Sequence, residues 1–416
     1  MVKGVFYGWW IVLASFFIAF YVAGNVFYGF TAFFEPIVEE YGWSYTQVSI
    51  ASSLRGLEMG ILAPLIGFFV DRFGSRKLAI FGVITTGFGL ILLSLTNSLV
   101  IFYSACLLLA LGAGSCTGLV LYAAVANWFR KKVGKALGIV SCGFGASGVL
   151  IPLIVWLIDI YDWQTALVII GLGMWALGIP LSLIIRDKPE QYGYLPDGEV
   201  VAEPIPNPET QEPEVAVSFQ EMLKGKSLWL ISLAEATRFI ILSAVVIHVM
   251  PYLSSIGISR TNAALVATAI PLLSLVGRFV AGWLGDIYNK KYLMVGTYCL
   301  IGTGMLAFSY AQAGWAILLF LALFSSGTGG NATLRAAMVR EYFGVASFGK
   351  VLGVIMGASA IGGIIGPALA GWAFDTMGSY HLIWLAFSGL AIVSIATILM
   401  VKPEKALTLE PRIGRN

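Results

Sequence analysis

Seven ionisable side chains interrupt long apolar stretches of the sequence. They are Arg55, Glu58, Glu235, Arg238, His248, Arg278 and Arg335. If these stretches cross a lipid bilayer, each charged side chain near the centre costs about 2.5 to 3.5 kcal/mol on insertion scales. Side chains at such positions are candidates for binding a charged solute, for carrying a proton or for pairing with one another.

Arg278 is the strongest candidate for contact with a solute. Its neighbours one helical turn away are a serine and a glycine, and its own stretch has no carboxylate before Asp286. A guanidinium is always charged and presents a planar fork of donors that matches the two oxygens of a carboxylate. We therefore expect Arg278 to bind an organic anion, and the alternative is an ion pair with Glu58 or Glu235 on another stretch.

The other charged residues are explained more simply by pairing. Arg55 and Glu58 are three residues apart, as are Glu235 and Arg238, and this spacing places both members of each pair on one face of a helix. Arg335 lies near the end of its stretch, where a long side chain can extend to the membrane surface. The alternative for Arg335 is contact with the solute.

His248 could change its charge near neutral pH. Its position near the end of an apolar stretch favours a hydrogen-bonded histidine at the water-lined rim of a cavity, and the alternative is a proton relay. If the function of the protein involves proton transfer, the candidates for carrying the proton are Glu58, Glu235 and His248.

The elements that must position these residues are predicted to be membrane-spanning helices. Of the 416 residues, 58% are hydrophobic and 11% are charged, and the mean hydropathy is +0.87, whereas soluble domains contain about 25% charged residues. A helix that crosses a bilayer needs about 20 predominantly apolar residues. Alternating strands are absent, so we expect an all-α membrane protein rather than a barrel. The twelve apolar stretches run roughly over 8–34, 46–69, 78–97, 99–126, 136–158, 164–185, 228–254, 261–284, 292–311, 315–338, 350–374 and 380–401.

The basic residues are distributed asymmetrically around the predicted helices. Most Lys and Arg fall at the N-terminus, in alternate loops, in a central linker and in the C-terminal tail, and only Arg260 lies in a loop of the opposite set. The positive-inside rule then makes both termini and the linker cytoplasmic, which predicts a multi-pass protein of the inner membrane. Topology accounts for these charges, so we expect contact with lipid but no nucleic-acid partner, and no obligatory protein partner is evident.

The chain contains an internal repeat. The sequence GKALG begins at Gly134 and GKVLG at Gly349, and Pro152 and Pro367 follow at the same offset of 215 residues. Repeats of the same topology are parallel and are related by an axis along the membrane normal. We therefore predict twelve transmembrane helices in two pseudo-symmetric six-helix bundles. The bounds are 1–185 for the first half, 186–226 for a Pro- and Glu-rich linker, 227–402 for the second half and 403–416 for the tail.

One loop carries a motif. The sequence GFFVDRFGSRK, residues 67–77, lies between the second and third predicted helices and has a degraded counterpart in the second half. It resembles the signature loop of the major facilitator superfamily, and the resemblance covers nearly the whole chain. Glycines permit a tight turn, and Asp71 can lie near a helix N-terminus, where an anion is favoured. The resemblance implies a role in gating the inward face for Gly67, Asp71, Arg72, Gly74, Arg76 and the counterpart Asp286.

Narrower features resemble the monocarboxylate transporters and the oxalate/formate antiporters. They are Tyr28 followed by TAFFEP at 31–36, NWF at 127–129 and the pair Gly277-Arg278. In those relatives, the arginine at this place binds the substrate carboxylate. The resemblance also implies that Tyr28 and Phe144 line the site.

Further polar side chains near the middle of predicted helices could line the same cavity. They are Asn25, Tyr122 and Asn331, and the alternative for each is packing. The antiporters have a second cation on helix 11, where this chain has small residues around Gly357, and a single arginine favours a monoanion. The monocarboxylate carriers have an acid one turn before the arginine, where this chain has Ser274, so the resemblance does not extend to that part of their proton coupling.

These observations predict a secondary active transporter of small monocarboxylates such as lactate or pyruvate, coupled to protons and working by alternating access. The alternatives are an exchanger of organic anions and a drug/proton antiporter. An enzyme is not expected, because the sequence lacks HExxH, a paired Cys/His ligand set and GxSxG. No metal site and no cofactor other than the coupling proton is expected.

Overall fold

The predicted all-α membrane fold is confirmed. The computed structural model describes residues 6–57, 62–198, 223, 225–344 and 348–402, and within these ranges the chain forms helices and no strand. Within the described ranges, eleven helices are long and apolar enough to cross a membrane, and the second predicted helix is described in two parts. The helices are α1 Tyr7–Tyr41, α2 Tyr45–Leu57 with Ala63–Phe73, α3 Ser75–Ser94, α4 Leu99–Trp128, α5 Val133–Ile160, α6 Trp163–Ile184, α7 Lys226–Ser255, α8 Arg260–Ile287, α9 Lys290–Ser309, α10 Gly314–Phe343, α11 Gly349–Met377 and α12 His381–Met400.

Polar residues in the short connections fix where several helices begin. Asp162 accepts a hydrogen bond from the backbone N–H of Thr165 at 2.5 Å, and Asn289 accepts one from that of Lys291 at 2.9 Å. These side chains accept hydrogen bonds from backbone N–H groups in the first turns of α6 and α9, which have no acceptor within the helix. At the end of α1, Gly42 has a φ of 62°, a conformation that suits glycine.

Among the helix pairs that join the halves are α5 with α8 and α2 with α11. A Cβ on Gly148 of α5 would lie 2.7 Å from the carbonyl oxygen of Thr268, and one on Gly371 of α11 would lie 2.8 Å from that of Tyr45. Close backbone approach at small residues is how membrane helices pack against each other. Because α5 corresponds to α11 and α2 to α8 in the repeat, the two interfaces are pseudo-symmetric.

Two membrane helices depart from α-helical winding. α1 is π-helical over Ala23–Tyr28, and α10 is π-helical over Leu321–Ser325. Because a π turn contains more residues than an α turn, residues that would share a face of an α-helix are separated around the axis. In α1 this winding separates Asn25 from Tyr28, which are three residues apart.

The ends of the described chain and of the linker lie on one side of the bundle, which we call the linker face. The Tyr7 hydroxyl donates to the carbonyl oxygen of Ile184 at 2.9 Å, and the Ser227 hydroxyl donates to that of Lys402 at 2.7 Å. An even number of crossings in each half accounts for this arrangement. The other side of the bundle is called the opposite face.

The first part of the linker packs on the linker face of the first half. The Arg186 guanidinium lies between the rings of Tyr7 and Tyr192, at 3.9 and 4.1 Å from their centroids. The Asp197 carboxylate accepts hydrogen bonds from two backbone N–H groups of the α4–α5 loop, at 2.8 and 2.7 Å. Burial acts to raise the pKa of Asp197, but these donors outweigh it and lower the pKa below its usual value. The linker is therefore anchored to the first half over 186–198.

Candidate functional site

Arg278 lies on the stripe of α8 that faces the first half. Pro271 and Leu275 precede it on this stripe and contact Gly148 and Gly145 of α5, and residues at this spacing share a helix face. The guanidinium is partly exposed, and its Nε is buried without a hydrogen-bond partner. It forms no hydrogen bond or ion pair with the described residues. The geometry therefore leaves the donors of Arg278 available to a ligand.

Tyr28 lies in the first half, within electrostatic range of Arg278. It is the last residue of the π-helical turn of α1, and the positive charge of Arg278 acts on its phenol. A phenol can donate a hydrogen bond to an anion, and its ring can pack against an apolar body. Two of the predicted site residues, one from each half, are thus brought together.

Asn25 does not accompany Tyr28. Its amide donates to the carbonyl oxygen of Tyr21 at 2.8 Å, and the side chain is buried inside the first half. There it lines a small pocket with Leu90 of α3 and Leu167 of α6. The π-helical winding separates Asn25 from Tyr28 in this structure, and the role of Asn25 as a substrate contact stays a prediction.

Tyr122 and Phe144 lie on neighbouring helices of the first half. The Tyr122 hydroxyl is 2.9 Å from that of Ser141, which joins α4 to α5. Phe144 precedes Gly145, whose contact with Leu275 places this part of α5 beside the helix of Arg278. Both side chains are partly exposed, and their role as substrate contacts stays a prediction.

A buried charged cluster in the second half surrounds Glu235. Its Oε2 accepts hydrogen bonds from Arg238 Nη2 and Arg335 Nη1, each at 2.9 Å, and its Oε1 accepts one from the Tyr298 hydroxyl at 2.9 Å. The predicted pair of Glu235 and Arg238 is confirmed. The expectation that Arg335 extends to the membrane surface is wrong, because Glu235 offers it a counter-charge inside the bundle.

The cluster also bears on the alternative pairing of Arg278. Glu235 uses both of its oxygens within the cluster, so the ion pair with Arg278 is not formed. Glu58 and the side chain of Arg55 lie outside the described residues. The pairing of Arg55 with Glu58, and the candidacy of Glu58 for proton coupling, therefore stay predictions.

Asn331 lies one turn before Arg335 on α10 and is fully buried. Its amide nitrogen and oxygen have no hydrogen-bond partner within the usual distance and angle. The Tyr298 hydroxyl is nearby and interacts electrostatically with the amide. A buried polar group without a partner costs about 1 to 3 kcal/mol. Asn331 therefore remains a candidate for contact with a ligand that enters the second half.

His248 lies between the halves rather than at a water-lined rim. The ring is fully buried, with Nε2 at 3.0 Å from both the Pro367 carbonyl oxygen and the Ser49 hydroxyl, and Nδ1 at 2.8 Å from the Tyr380 hydroxyl. Because a carbonyl oxygen only accepts, Nε2 carries the proton and Nδ1 accepts from Tyr380. The predicted rim position is wrong because α2, α7 and α11 enclose the ring in this state, and the neutral imidazole is fully hydrogen-bonded.

Asp375 and Asp159 are two of the carboxylates that hold the halves together at the opposite face, and neither contact was predicted from the sequence. Asp375, near the end of α11, accepts hydrogen bonds from the backbone N–H groups of Tyr45 and Thr46 at 2.9 and 2.8 Å. Asp159, near the end of α5, is 3.7 Å from Arg260 at the start of α8. Arg260 follows Tyr45 by 215 residues, so the repeat relates the two contacts. The available signal was an acidic residue near the end of the corresponding helix in each half.

The signature loop binds the linker through the carboxylate of Asp187. The backbone N–H of Arg76 donates to Asp187 at 3.0 Å, and a Cβ on Gly74, where φ is 86°, would lie 2.5 Å from the same carboxylate. Asp187 therefore occupies the N-terminus of α3, where an anion is favoured. The side chain of Asp71 lies outside the described residues. The other motif residues, whose gating role stays a prediction, are Gly67, Arg72 and Asp286.

Comparisons with known proteins agree with this architecture. A family model described as Major Facilitator Superfamily matches residues 11–255 and 236–415. The chain is 24% identical over 381 residues to Monocarboxylate transporter 13 of Rattus norvegicus, covering 90% of this chain and 84% of that protein. It is 25% identical over 419 residues to Monocarboxylate transporter 12 of Xenopus laevis, covering 94% and 88%.

A solved structure shows the same fold. The bacterial homolog of the human lysosomal transporter Spinster, in an inward-facing and unoccupied conformation, matches with a TM-score of 0.73 and 16% identity, covering 96% of this chain and 95% of that chain. Proteins of this family are membrane transporters and not enzymes. The family match, the helices and the two joined halves together show that the chain belongs to the major facilitator superfamily.

Proposed function

We propose that this protein transports small monocarboxylates, of the size of lactate or pyruvate, and that Arg278 binds the carboxylate. The observation that carries the proposal is the partly exposed guanidinium, which has no partner among the described residues and faces the other half. The likeness to proteins named monocarboxylate transporters supports the same solute class. A drug/proton antiporter for cationic drugs is disfavoured, because the unpaired charge at this place is positive.

The two faces of the molecule suggest how the solute crosses. The carboxylates of Asp375 and Asp159 close the opposite face in this state, so solute enters or leaves from the linker face. For alternating access, these contacts must break while the halves approach each other at the linker face. The signature loop and the linker contact at Asp187 are placed to take part in that second closure.

We further propose that transport is coupled to a proton as symport. An anion neutralises Arg278 on loading, and the empty carrier must then return with a buried positive charge unless another group compensates for it. Glu58, Glu235 and His248 are the candidates. Glu235 is held by two arginines and His248 by a complete set of hydrogen bonds as a neutral ring, so either must exchange partners to take up a proton.

The linker face is proposed to be cytoplasmic in the cell inner membrane. The proposal follows from the excess of Lys and Arg in the loops on that side. A reporter enzyme that is active only in the cytoplasm, fused after Asn416, should be active. Inactivity of that fusion, with activity of a reporter inserted in the α3–α4 loop, would contradict this orientation.

The proposed function is tested by uptake into proteoliposomes of the purified protein. Labelled lactate, formate and oxalate are supplied at equal concentrations, with and without an inward-directed proton gradient. We expect lactate to accumulate faster than in protein-free liposomes and the proton gradient to accelerate it. Uptake of oxalate alone would contradict the monocarboxylate proposal, and lactate uptake that ignores the gradient would contradict symport.

A further inference from the structure

We propose that Arg335 is a second anion-binding group of this transporter, which exchanges Glu235 for the solute and extends the substrate range to short dicarboxylates. The inference rests on the proposed function, in which Arg278 binds one carboxylate. It concerns the second negative group of a longer solute.

The interior of the second half holds more positive than negative charge. Arg238 and Arg335 share the single carboxylate of Glu235, and Arg278 has no partner among the described residues. Two positive charges therefore remain unbalanced within these described helices. A buried ion without compensation is costly, so the site favours ligands that bring negative charge. A monocarboxylate balances one charge, and a dicarboxylate balances both.

The two arginines of the cluster are held unequally. Arg238 donates to Glu235 through both Nε and Nη2, lies 4.6 Å from the centroid of the Phe239 ring and is 3% exposed. Arg335 donates through Nη1 alone and is 14% exposed, and its Nε is buried without a hydrogen-bond partner. Arg238 is therefore the fixed counter-ion of Glu235, and Arg335 has donors left for a ligand.

When Arg335 exchanges Glu235 for the solute, no charged group of the cluster is left without a counter-charge. If Arg335 turns away, Glu235 keeps two hydrogen bonds from Arg238 and one from Tyr298. The remaining pair of Glu235 and Arg238 is neutral. Breaking a buried pair is strongly unfavourable when it leaves an unpaired ion, and here it leaves none on the protein, while the incoming carboxylate pairs with Arg335.

Arg335 and Arg278 lie at the same depth on adjacent helices. α8 and α10 run in the same direction, and Arg278 precedes the end of α8 by nine residues as Arg335 precedes the end of α10 by eight, which corresponds to about 12 to 14 Å in each helix. The helices touch directly beside these residues, where the Thr333 hydroxyl donates to the Arg278 carbonyl oxygen at 3.5 Å. Asn331 lies one turn before Arg335, on the same face of α10 as the cluster.

The test compares two solutes of three carbons, pyruvate with one carboxylate and malonate with two. Uptake of each labelled solute is measured in proteoliposomes containing the wild type, Arg335→Gln or Arg340→Gln. Arg340 is on the same helix and exposed at its end, so it controls for loss of one arginine. We expect the wild type to take up both solutes, and Arg335→Gln to lose malonate uptake by about tenfold or more while it keeps pyruvate uptake.

The outcomes separate this inference from the proposed function. Uptake of pyruvate but not malonate by the wild type would overturn the inference and leave the function standing. Uptake of neither solute would overturn the proposed function and the inference with it. An equal loss of both solutes in folded Arg335→Gln would assign Arg335 a structural role and overturn the inference.

A second variant covers the case in which Arg335→Gln does not fold. Arg335→Lys keeps the charge beside Glu235 but lacks the planar fork, so we expect the apparent malonate affinity to fall severalfold relative to that for pyruvate. An unchanged ratio of the two affinities in this variant would overturn the inference. Thermal denaturation with each solute provides the same ratio from binding alone, because a ligand of the native state raises Tm.

Discussion

The two halves of this transporter share a scaffold but differ in where they contain charge. The second half buries Glu235, Arg238 and His248, pairs Arg335 with Glu235 at 14% exposure, and carries Arg278 at its interface with the first. At an offset of 215 residues, the corresponding positions of the first half are apolar: Phe20, Ala23, Val120, Phe33 and Ala63. The glycine contacts between helices occur in both halves. The repeat thus retains what packs the halves together, while among the described side chains the charged groups that suit an anion site are found in the second half.

Among substitutions of the charged groups found in the second half, the largest expected effect is on transport. Arg278→Lys should reduce lactate uptake by about two orders of magnitude, because an ammonium replaces the planar fork that pairs with both carboxylate oxygens. The matched control is Arg340→Lys, the same change at an exposed position of the second half. Uptake into proteoliposomes is measured for both, and near-normal uptake by folded Arg278→Lys would contradict the assigned role.

The next effect concerns stability. Glu235→Gln removes the shared counter-charge of two buried arginines and should lower the free energy of unfolding by about 3 to 5 kcal/mol. Glu341→Gln removes the partner of Lys290 from an exposed pair with an N–O distance of 2.6 Å, and should cost about 1 kcal/mol or less. Thermal denaturation of the purified variants measures both. Equal shifts in Tm would show that the cluster contributes no more than a surface pair.

A smaller effect distinguishes the two contacts at the opposite face. Asp375→Asn replaces the carboxylate that caps the first turn of α2 by a weaker acceptor, and should favour opening of this face by about 1 kcal/mol. Asp159→Asn breaks a pair whose side chains are 31% and 51% exposed and should have less effect. Spin labels are attached at positions Asn97 and Gln312, in exposed loops of the two halves, in a protein whose native cysteines have been replaced. The distance between the two labels reports how far this face has opened. A larger shift of the distance distribution in Asp159→Asn would reverse this ranking.

The smallest effect is expected at His248. The neutral ring is fully hydrogen-bonded in this state, and Gln can also donate to Pro367 and accept from Tyr380. We expect His248→Gln to keep lactate uptake within about threefold of the wild type and to keep its acceleration by a proton gradient. Loss of that acceleration, with normal uptake at equal pH on both sides, would instead identify His248 as the proton carrier.

The sequence predicts features that depend on local spacing. The apolar stretches specify the helices, because each must satisfy its own backbone in lipid. The pair of Glu235 and Arg238 follows from a spacing of three residues on one helix. The lack of a partner for Arg278 on its own helix is also visible in the sequence, and the structure adds that the neighbouring helices supply none among the described residues.

The features that escaped prediction depend on tertiary structure. Asn25 and Tyr28 are separated by a π-helical turn that no residue pattern in the sequence predicts. Arg335 reaches Glu235 across 100 residues of chain, and the burial of His248 depends on its contacts with Ser49, Pro367 and Tyr380, which are distant in sequence. Asp375 and Asp187 each cap a helix distant in sequence, so their role becomes visible only when the helices are assembled.

The most direct test of the account is binding of pyruvate to purified protein in detergent, measured by isothermal titration calorimetry in the wild type and in Arg278→Lys. We predict saturable binding of one pyruvate by the wild type, and no measurable binding by a variant with an unchanged Tm. Equal affinities in the two proteins would contradict the central claim that Arg278 of the second half holds the anion.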